Sequence, residues 1–118
     1  MAGLTLQMLK DGLIEVARTG QTLTYAELAG RLGLRPPHTI HRTALLLEDL
    51  IREQAETGEP QLASVVISRA RGGLPAPGFF MLMRDLGLYD GADAGHDAHR
   101  FVETERARCR KFYRTSCV

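Results

Sequence analysis

The chain lacks tryptophan, has only two cysteines, and contains no long run of apolar residues. A membrane-spanning helix needs roughly 20 mostly apolar residues, and no segment here approaches that length. The first 20 residues carry four charged side chains, whereas a secretion signal needs an uninterrupted apolar core. We therefore expect a cytoplasmic protein with no membrane partner.

The two cysteines are Cys109 and Cys117, which are too close together in sequence for a disulfide to enclose more than a short loop. Cys109 allows two interpretations. Arg106, Arg108 and Arg110 would lower the pKa of its thiol and make it reactive. Alternatively, Cys109 fills a small space on the apolar face of a helix.

A strong excess of charge of either sign is also missing, because the 118 residues carry a net charge of only +1. Nucleic-acid binding cannot be argued from a value so close to zero. The distribution is more informative: residues 1–60 sum to −2 and residues 61–118 to +3. The positive charge is concentrated near the end of the chain, in Arg106–Arg114.

What the chain does have is the composition of one folded domain, with 44% apolar and 25% charged residues. Apolar spacing predicts a first helix over Leu4–Arg18, which Gly20 ends. Thr24 and Glu27 match the capping box and predict a short second helix. That helix stops at Gly33.

A long third helix is predicted from Pro36-Pro37 to about Gln54, because prolines are tolerated in a first helical turn. Its spacing of apolar residues predicts a broad buried face. The residues expected on that face are Ile40, Ala44, Leu45, Leu46, Leu47, Leu50 and Ile51.

The apolar, β-branched run Leu62–Ser68 predicts a strand. Its partner is either Gln21–Thr24 or a segment after Arg71-Gly72-Gly73, and the sequence leaves both open. Arg69–Gly78 is a loop rich in glycine and proline. It has three interpretations: a wing whose arginines reach phosphates, glycine amides that bind an anion, or a turn that directs two phenylalanines into the core.

The remainder is predicted as a short helix from Phe79 to Gly87, a polar linker over 89–98, and a last helix over Asp97–Arg114. On that helix, one face is expected to carry Val102, Cys109, Phe112 and Tyr113. The fold class is α+β: a winged-helix-like helix-turn-helix core with a small sheet and a C-terminal helix. We assign 1–118 to a single domain with a three-helix core (1–60), a strand, loop and short helix (61–88), and a linker with the basic helix (89–118).

The segment Leu23–Ala29, together with Val65–Ser68 leading to Gly73-Leu74-Pro75, resembles the winged-helix DNA-binding domain of alkylguanine-DNA alkyltransferases and alkyltransferase-like proteins. The resemblance implies a DNA-binding scaffold. That family carries a reactive Pro-Cys-His-Arg motif just before the strand, and here Gln61-Leu62-Ala63-Ser64 stands in its place. Alkyl transfer is therefore not implied. The chain also resembles small uncharacterised proteins of bacteria and phages, which implies no activity.

On this scaffold the third helix is the expected recognition helix, and its first residues would face a groove of duplex DNA. Glu48 and Asp49 further along that helix oppose such contact, and a merely solvated helix face is the alternative. The residues we expect to bind nucleic acid are Tyr25, Arg35, His38, Thr39, His41, Arg42, Arg69 and Arg71. Contacts with a phosphate or a partner protein are expected from Arg106, Arg110, Lys111 and Arg114.

No catalytic constellation is evident in the sequence, so we expect no enzyme activity and no cofactor. His96 and His99 stand near Asp93 and Asp97 at a spacing that metal ligands can have, but a polar helix start explains them and we expect no metal. Two functional hypotheses remain. One is a non-catalytic module that binds duplex DNA through the third helix and the wing loop. The other is an adaptor or inhibitor of the bacterial or phage defence type that uses the same surface to bind a protein.

Overall fold

The structure is a computed structural model that describes residues 2–114, with side chains from residue 6 onward; Cys117 lies outside the described residues. The helices are α1 (Ala2–Thr19), α2 (Tyr25–Arg31), α3 (Thr39–Thr57), α4 (Pro77–Asp85) and α5 (His96–Arg114). The strands are β1 (Leu23–Thr24) and β2 (Val66–Ile67). The fold is therefore α+β and mostly helical. Across residues 2–114, no helix is both long enough and apolar enough to span a membrane.

The core lies where the first and last helices pack against each other. Leu9 and Leu13 of α1 are fully buried, as is Cys109 of α5. Phe80 of α4 and Leu50 of α3 belong to the same cluster of buried residues. Each helix thus places one apolar stripe toward a common centre, as the spacing of three and four predicts.

The capping box at the start of α2 is confirmed. The Glu27 amide donates to the Thr24 hydroxyl at 3.1 Å, and the Thr24 amide donates to the Glu27 carboxylate at 2.8 Å. Gly33 ends the helix in the left-handed region, with φ +69°, where a side chain would be strained. The amide of Leu34 then donates back to the Ala29 carbonyl, which satisfies an acceptor at the end of the helix.

The third helix starts later than predicted, at Thr39 instead of Pro36-Pro37. His38 precedes it in the left-handed region (φ 58°), and helical hydrogen bonding cannot extend backwards through that conformation. The helix also runs one turn further, to Thr57. Gly58 ends it with φ 76°.

The predicted buried face of α3 is too broad. Ile40 and Leu45 are 53% and 48% exposed, respectively. The packed side of the helix is narrower and centres on Leu47, Leu50 and Ile51, which are at most 3% exposed. On α5, Phe112 likewise does not join the buried face and is 51% exposed.

The prediction of a strand over Leu62–Ser68 was wrong for most of its length. Leu62–Val65 forms a 3-10 helix, and only Val66–Ile67 is extended. β2 pairs in parallel with β1, with Leu23 opposite Val66. Of the two candidate partners, the one before α2, Gln21–Thr24, is therefore correct. The segment after the glycines contributes a single bond, from the Ser68 amide to the Leu74 carbonyl.

Polar side chains inside the protein explain the 3-10 helix. The Leu62 amide donates to the Gln54 side-chain carbonyl at 2.9 Å, and the Gln61 amide donates to the Glu105 carboxylate at 3.1 Å. Gln54, Gln61 and Glu105 are at most 5% exposed. Because a buried amide needs an acceptor, these side chains replace the strand partner that the segment does not have.

The predicted polar linker before α5 is anchored through an aromatic side chain. Tyr89 stacks on Phe101 with ring centroids 4.6 Å apart and approaches Phe80 at 5.8 Å. Phe79 and Phe80 are both buried, which confirms that the 69–78 loop directs two phenylalanines into the core.

Candidate nucleic-acid interface

The surface formed by α2, the following turn and the start of α3 displays several cationic and imidazole side chains. Arg31, Arg35, His38 and His41 are all exposed. We call these four residues, together with Arg69, the α2–α3 surface. The left-handed backbone at His38 sets the direction in which α3 leaves the turn, since a non-glycine residue adopts it only where its surroundings hold it there.

Of two further predicted contacts, Arg42 helps to build the turn and Thr39 is the first residue of α3. A guanidinium nitrogen of Arg42 donates to the Arg35 carbonyl at 2.8 Å, and the Arg42 amide donates to the His38 carbonyl at 2.9 Å. Thr39 is half-buried, and its carbonyl accepts from the Thr43 hydroxyl. Arg42 therefore holds the backbone that carries Arg35 and His38, with its remaining donors exposed.

Arg69 lies beside α2. Both Arg31 and Arg69 are close enough to Glu27 to help lower the pKa of that carboxyl, although the hydrogen bonds from Thr24 lower it most. Arg69 is exposed, and within the described residues no hydrogen bond or ion pair occupies its guanidinium. Two arginines thus lie near a single carboxylate, one oxygen of which accepts the Thr24 amide in the cap.

Arg71 and Tyr25 are turned toward the protein. The Arg71 guanidinium donates to the Pro75 carbonyl at 3.0 Å and to the Asp93 carbonyl, and lies 6.0 Å from the centre of the Phe80 ring. The Tyr25 hydroxyl accepts from the Ala76 amide at 3.0 Å, and burial raises its pKa against the opposing effects of that bond and of Arg71. Tyr25 thus fastens the 69–78 loop to α2, and Arg71 fastens it to the segment before α5.

The four predicted contacts on α5 divide in a similar way. Arg106 donates to the Ser64 and Gly73 carbonyls, both at 2.8 Å, and pairs with Glu103. Arg110, Lys111 and Arg114 are exposed. Across residues 6–114 they have no hydrogen bond or ion pair through their side chains.

Arg18 of α1 joins these three residues, which the sequence did not indicate. Arg18, Arg110, Lys111 and Arg114 line one open depression whose fifth lining residue is Ala107. Arg18 also bonds Glu15 at 2.6 Å and the Tyr113 carbonyl at 3.2 Å. Its position at the end of α1 gave no signal, because only the packing of α1 on α5 brings the two helix ends together.

Cys109 faces the core beside Ser64 and is fully buried. Burial, with a smaller contribution from Glu105, raises the pKa of its thiol to about 12. Arg108 and the hydrogen bond with Ser64 lower this pKa, but they do not offset the effect of burial. Of the two interpretations, the small buried filler fits this environment.

The chemistry available on the α2–α3 surface is donation of hydrogen bonds to anionic oxygen atoms. Further along α3 the charge reverses: Glu48 pairs with Arg52 at 3.7 Å, and Asp49 and Glu53 are exposed. Only the first turns of α3 therefore suit a polyanion. Among residues 2–114, no group of three or more His, Cys, Asp and Glu side chains is arranged to hold a metal ion.

Comparison with known proteins adds no assignment. No family model matches the chain, and neither a curated protein nor a solved structure matches it.

Proposed function

We propose that the protein is a non-catalytic module that binds duplex DNA through the start of α3, with Arg69 beside it. The observation that carries the proposal is a set of exposed donors at one helix start, Arg35, His38 and His41, which precede the acidic part of α3. Within residues 6–114 their side chains make no hydrogen bond or ion pair. A recognition helix reads DNA with its N-terminal residues. Phosphate contacts from arginine position such a helix without reading sequence.

A winged-helix-like arrangement is part of the same proposal. It is supported by a capped short helix, a turn and a long helix, followed by a strand that pairs with the segment before α2. The wing would be the 69–78 loop. Since Arg71 bonds within the loop, Arg69 is its phosphate contact in this arrangement, and Tyr25 and Arg71 support the loop from inside.

The test is binding of a fluorescent duplex of about two helical turns, roughly 20 base pairs, measured by anisotropy over a series of salt concentrations. We expect Arg35→Gln with Arg69→Gln to reduce the slope of log affinity against log salt by about two, one for each lost phosphate contact. Arg42 bonds the backbone of residue 35, so this variant keeps the turn.

The matched control is Arg52→Gln with Arg84→Gln, which removes the same charge from exposed positions outside the surface. An equal loss in both variants would reduce the effect to net charge and contradict a defined site. Absence of duplex binding by the unmodified chain at low salt would reject the proposal outright.

A second candidate function, a protein-binding adaptor or inhibitor, is favoured by a different observation. Ile40 and Leu45 project from α3 with about half of their surface exposed, and Ile40 adjoins His41. Exposed apolar side chains beside polar ones are typical of protein interfaces. On this hypothesis the exposed side of α3 binds a protein and not DNA.

The two candidates separate through Ile40→Ser with Leu45→Ser. This variant leaves every cation in place, so a DNA-binding module should retain its affinity and its salt slope. An adaptor should lose co-purification with its partner from the native host. Retention of that partner would contradict the adaptor hypothesis.

A further inference from the structure

The C-terminal half of α5 presents a basic face that the helix does not neutralise. At 3.6 residues per turn, Arg106, Arg110, Lys111 and Arg114 fall on one side of the helix, together with Glu103. Within His96–Arg114, Glu103 is the one acidic side chain on that side. Arg106 pairs with it at 2.8 Å, so no carboxylate of the helix is left for the other three.

The depression beside this face gathers cations from two helices. Arg18 of α1 faces Arg110, Lys111 and Arg114, and the small Ala107 side chain leaves the space between them open. Glu15, paired with Arg18, offsets one of the four charges. The helix dipole favours cations at the end of α5. It does not, however, provide hydrogen-bond acceptors for the side chains of Arg110, Lys111 and Arg114, each of which has several donors.

The position of this depression relates it to the α2–α3 surface. A guanidinium nitrogen of Arg110 lies 3.5 Å from the point that a Cβ atom on Gly20 would occupy. Gly20 stands four residues before Thr24, the cap of α2, so their Cα atoms are at most about 14 Å apart. Arg31 and Arg69 lie beyond that cap, next to Glu27. The short segment from Gly20 to Thr24 therefore connects the neighbourhoods of the two groups of cations.

We propose that the depression lined by Arg18, Arg110, Lys111 and Arg114 is a second phosphate-binding site for the same DNA duplex. This inference rests on the proposed function. In this proposal Arg31 and Arg69 contact one DNA backbone and the cations of α5 contact the other, across a major groove about 12 Å wide. Base edges play no part at the second site, which raises affinity without adding sequence preference.

The experiment uses the full chain, with Arg110→Gln and Arg114→Gln in one variant and Arg52→Gln and Arg84→Gln in the matched control. Glutamine preserves helix propensity, and circular dichroism verifies that the fold is retained. We expect the α5 variant to lower the slope of log affinity against log salt by about two, whereas the control leaves it nearly unchanged. The duplex and the salt series are those used for Arg35→Gln with Arg69→Gln.

The outcomes separate the two proposals. An unchanged slope in the α5 variant, with a reduced slope in Arg35→Gln/Arg69→Gln, overturns the second site and leaves the proposed function standing. A reduced slope in the α5 variant alone supports phosphate binding at α5 and rejects binding through α3. An equal loss in the α5 variant and its control overturns the second site, because net charge alone then accounts for the effect.

Discussion

Two arginines of the same loop, Arg69 and Arg71, are used in opposite ways. Arg71 bonds two backbone carbonyls and fastens the loop to the protein, whereas Arg69 is exposed beside α2. One helical turn apart on α5, Arg106 and Arg110 repeat the contrast. Arginine content alone therefore does not locate a binding surface; what matters is whether the donors are already taken by carbonyl groups of the chain.

The largest expected loss of stability comes from removing Arg106, whose guanidinium bonds two backbone carbonyls. Arg106→Ala should lower the free energy of unfolding by about 3 kcal/mol, because it removes two charge-assisted hydrogen bonds from a side chain that is only 15% exposed. Arg106→Lys should recover part of this, since one ammonium group cannot span both carbonyls. Urea denaturation measures both variants. Arg110→Ala, the matched exposed position, should cost less than about 0.5 kcal/mol, and an equal cost would break the comparison.

A smaller effect is expected inside the loop. Arg71→Ala should lower the free energy of unfolding by about 1.5 kcal/mol, because the Pro75 and Asp93 carbonyls lose their donor and both bonds are part-buried. Arg69→Ala should lower the free energy of unfolding by less than about 0.5 kcal/mol. Thermal unfolding of the two variants measures the difference. A larger loss of stability in Arg69→Ala than in Arg71→Ala would contradict the contrast between the two arginines.

The cap of α2 is expected to contribute less to the free energy of unfolding than Arg71 does. Thr24→Ala should cost about 1 kcal/mol, because the Glu27 amide loses its acceptor at the helix start. Thr24→Ser, which keeps the hydroxyl, is the matched control and should remain close to the original stability. If alanine and serine behaved alike in chemical denaturation, the hydrogen bond would have no stabilising role.

The smallest effect is the pH dependence of the same cap. The pKa of Glu27 is lowered in the folded chain, mainly by its bonds with Thr24. The stability that this carboxylate contributes is thus present above its ordinary pKa of 4.5 and is lost as the pH falls through the lower, folded value. Glu27→Gln should therefore show a shallower fall in stability below pH 4.5. Denaturation curves across that range provide the measurement, and parallel curves would contradict the assignment.

The helices could be predicted from the sequence because their signals are local. Thr24 and Glu27 supply the cap, and Gly20 and Gly33 stop the helices with positive φ. The start of α3 was misplaced because two prolines fit either a helical first turn or the turn before it. The conformation of His38, which decides between these, depends on the packing of the turn.

Leu62–Ser68 could not be assigned correctly, since a continuous apolar run does not distinguish a buried strand from a buried helical turn. The deciding partners lie outside the run: Gln54 is eight residues before Leu62, and Glu105 is 44 residues after Gln61. A signal for them did exist: Gln54 follows Leu50 and Ile51 at helical spacing, and Glu105 stands between Val102 and Cys109. A polar residue on an apolar stripe predicts a buried acceptor whose partner lies elsewhere.

The cations of the candidate site could be identified from the sequence, but not which of them already bond groups of the protein. Arg71 has Arg69 two residues away, and Arg106 and Arg110 each have Arg108 two residues away, so the sequence around them does not tell them apart. Arg71 and Arg106 differ from the other two because they bond backbone carbonyls. Arg18 was missed for a related reason, because its role depends on a contact between α1 and α5.

The packing of α1 against α5 has a consequence for how the chain folds. The helices that share the core are separated by nearly the whole sequence, so the contacts that bury Leu9, Leu13 and Cys109 close a very long loop. Contacts of such separation slow folding, because chain entropy is lost before they form. During synthesis, the part of the α1 stripe that packs on α5 stays uncovered until α5 has left the ribosome, and in that interval the nascent chain is exposed to aggregation and to chaperones.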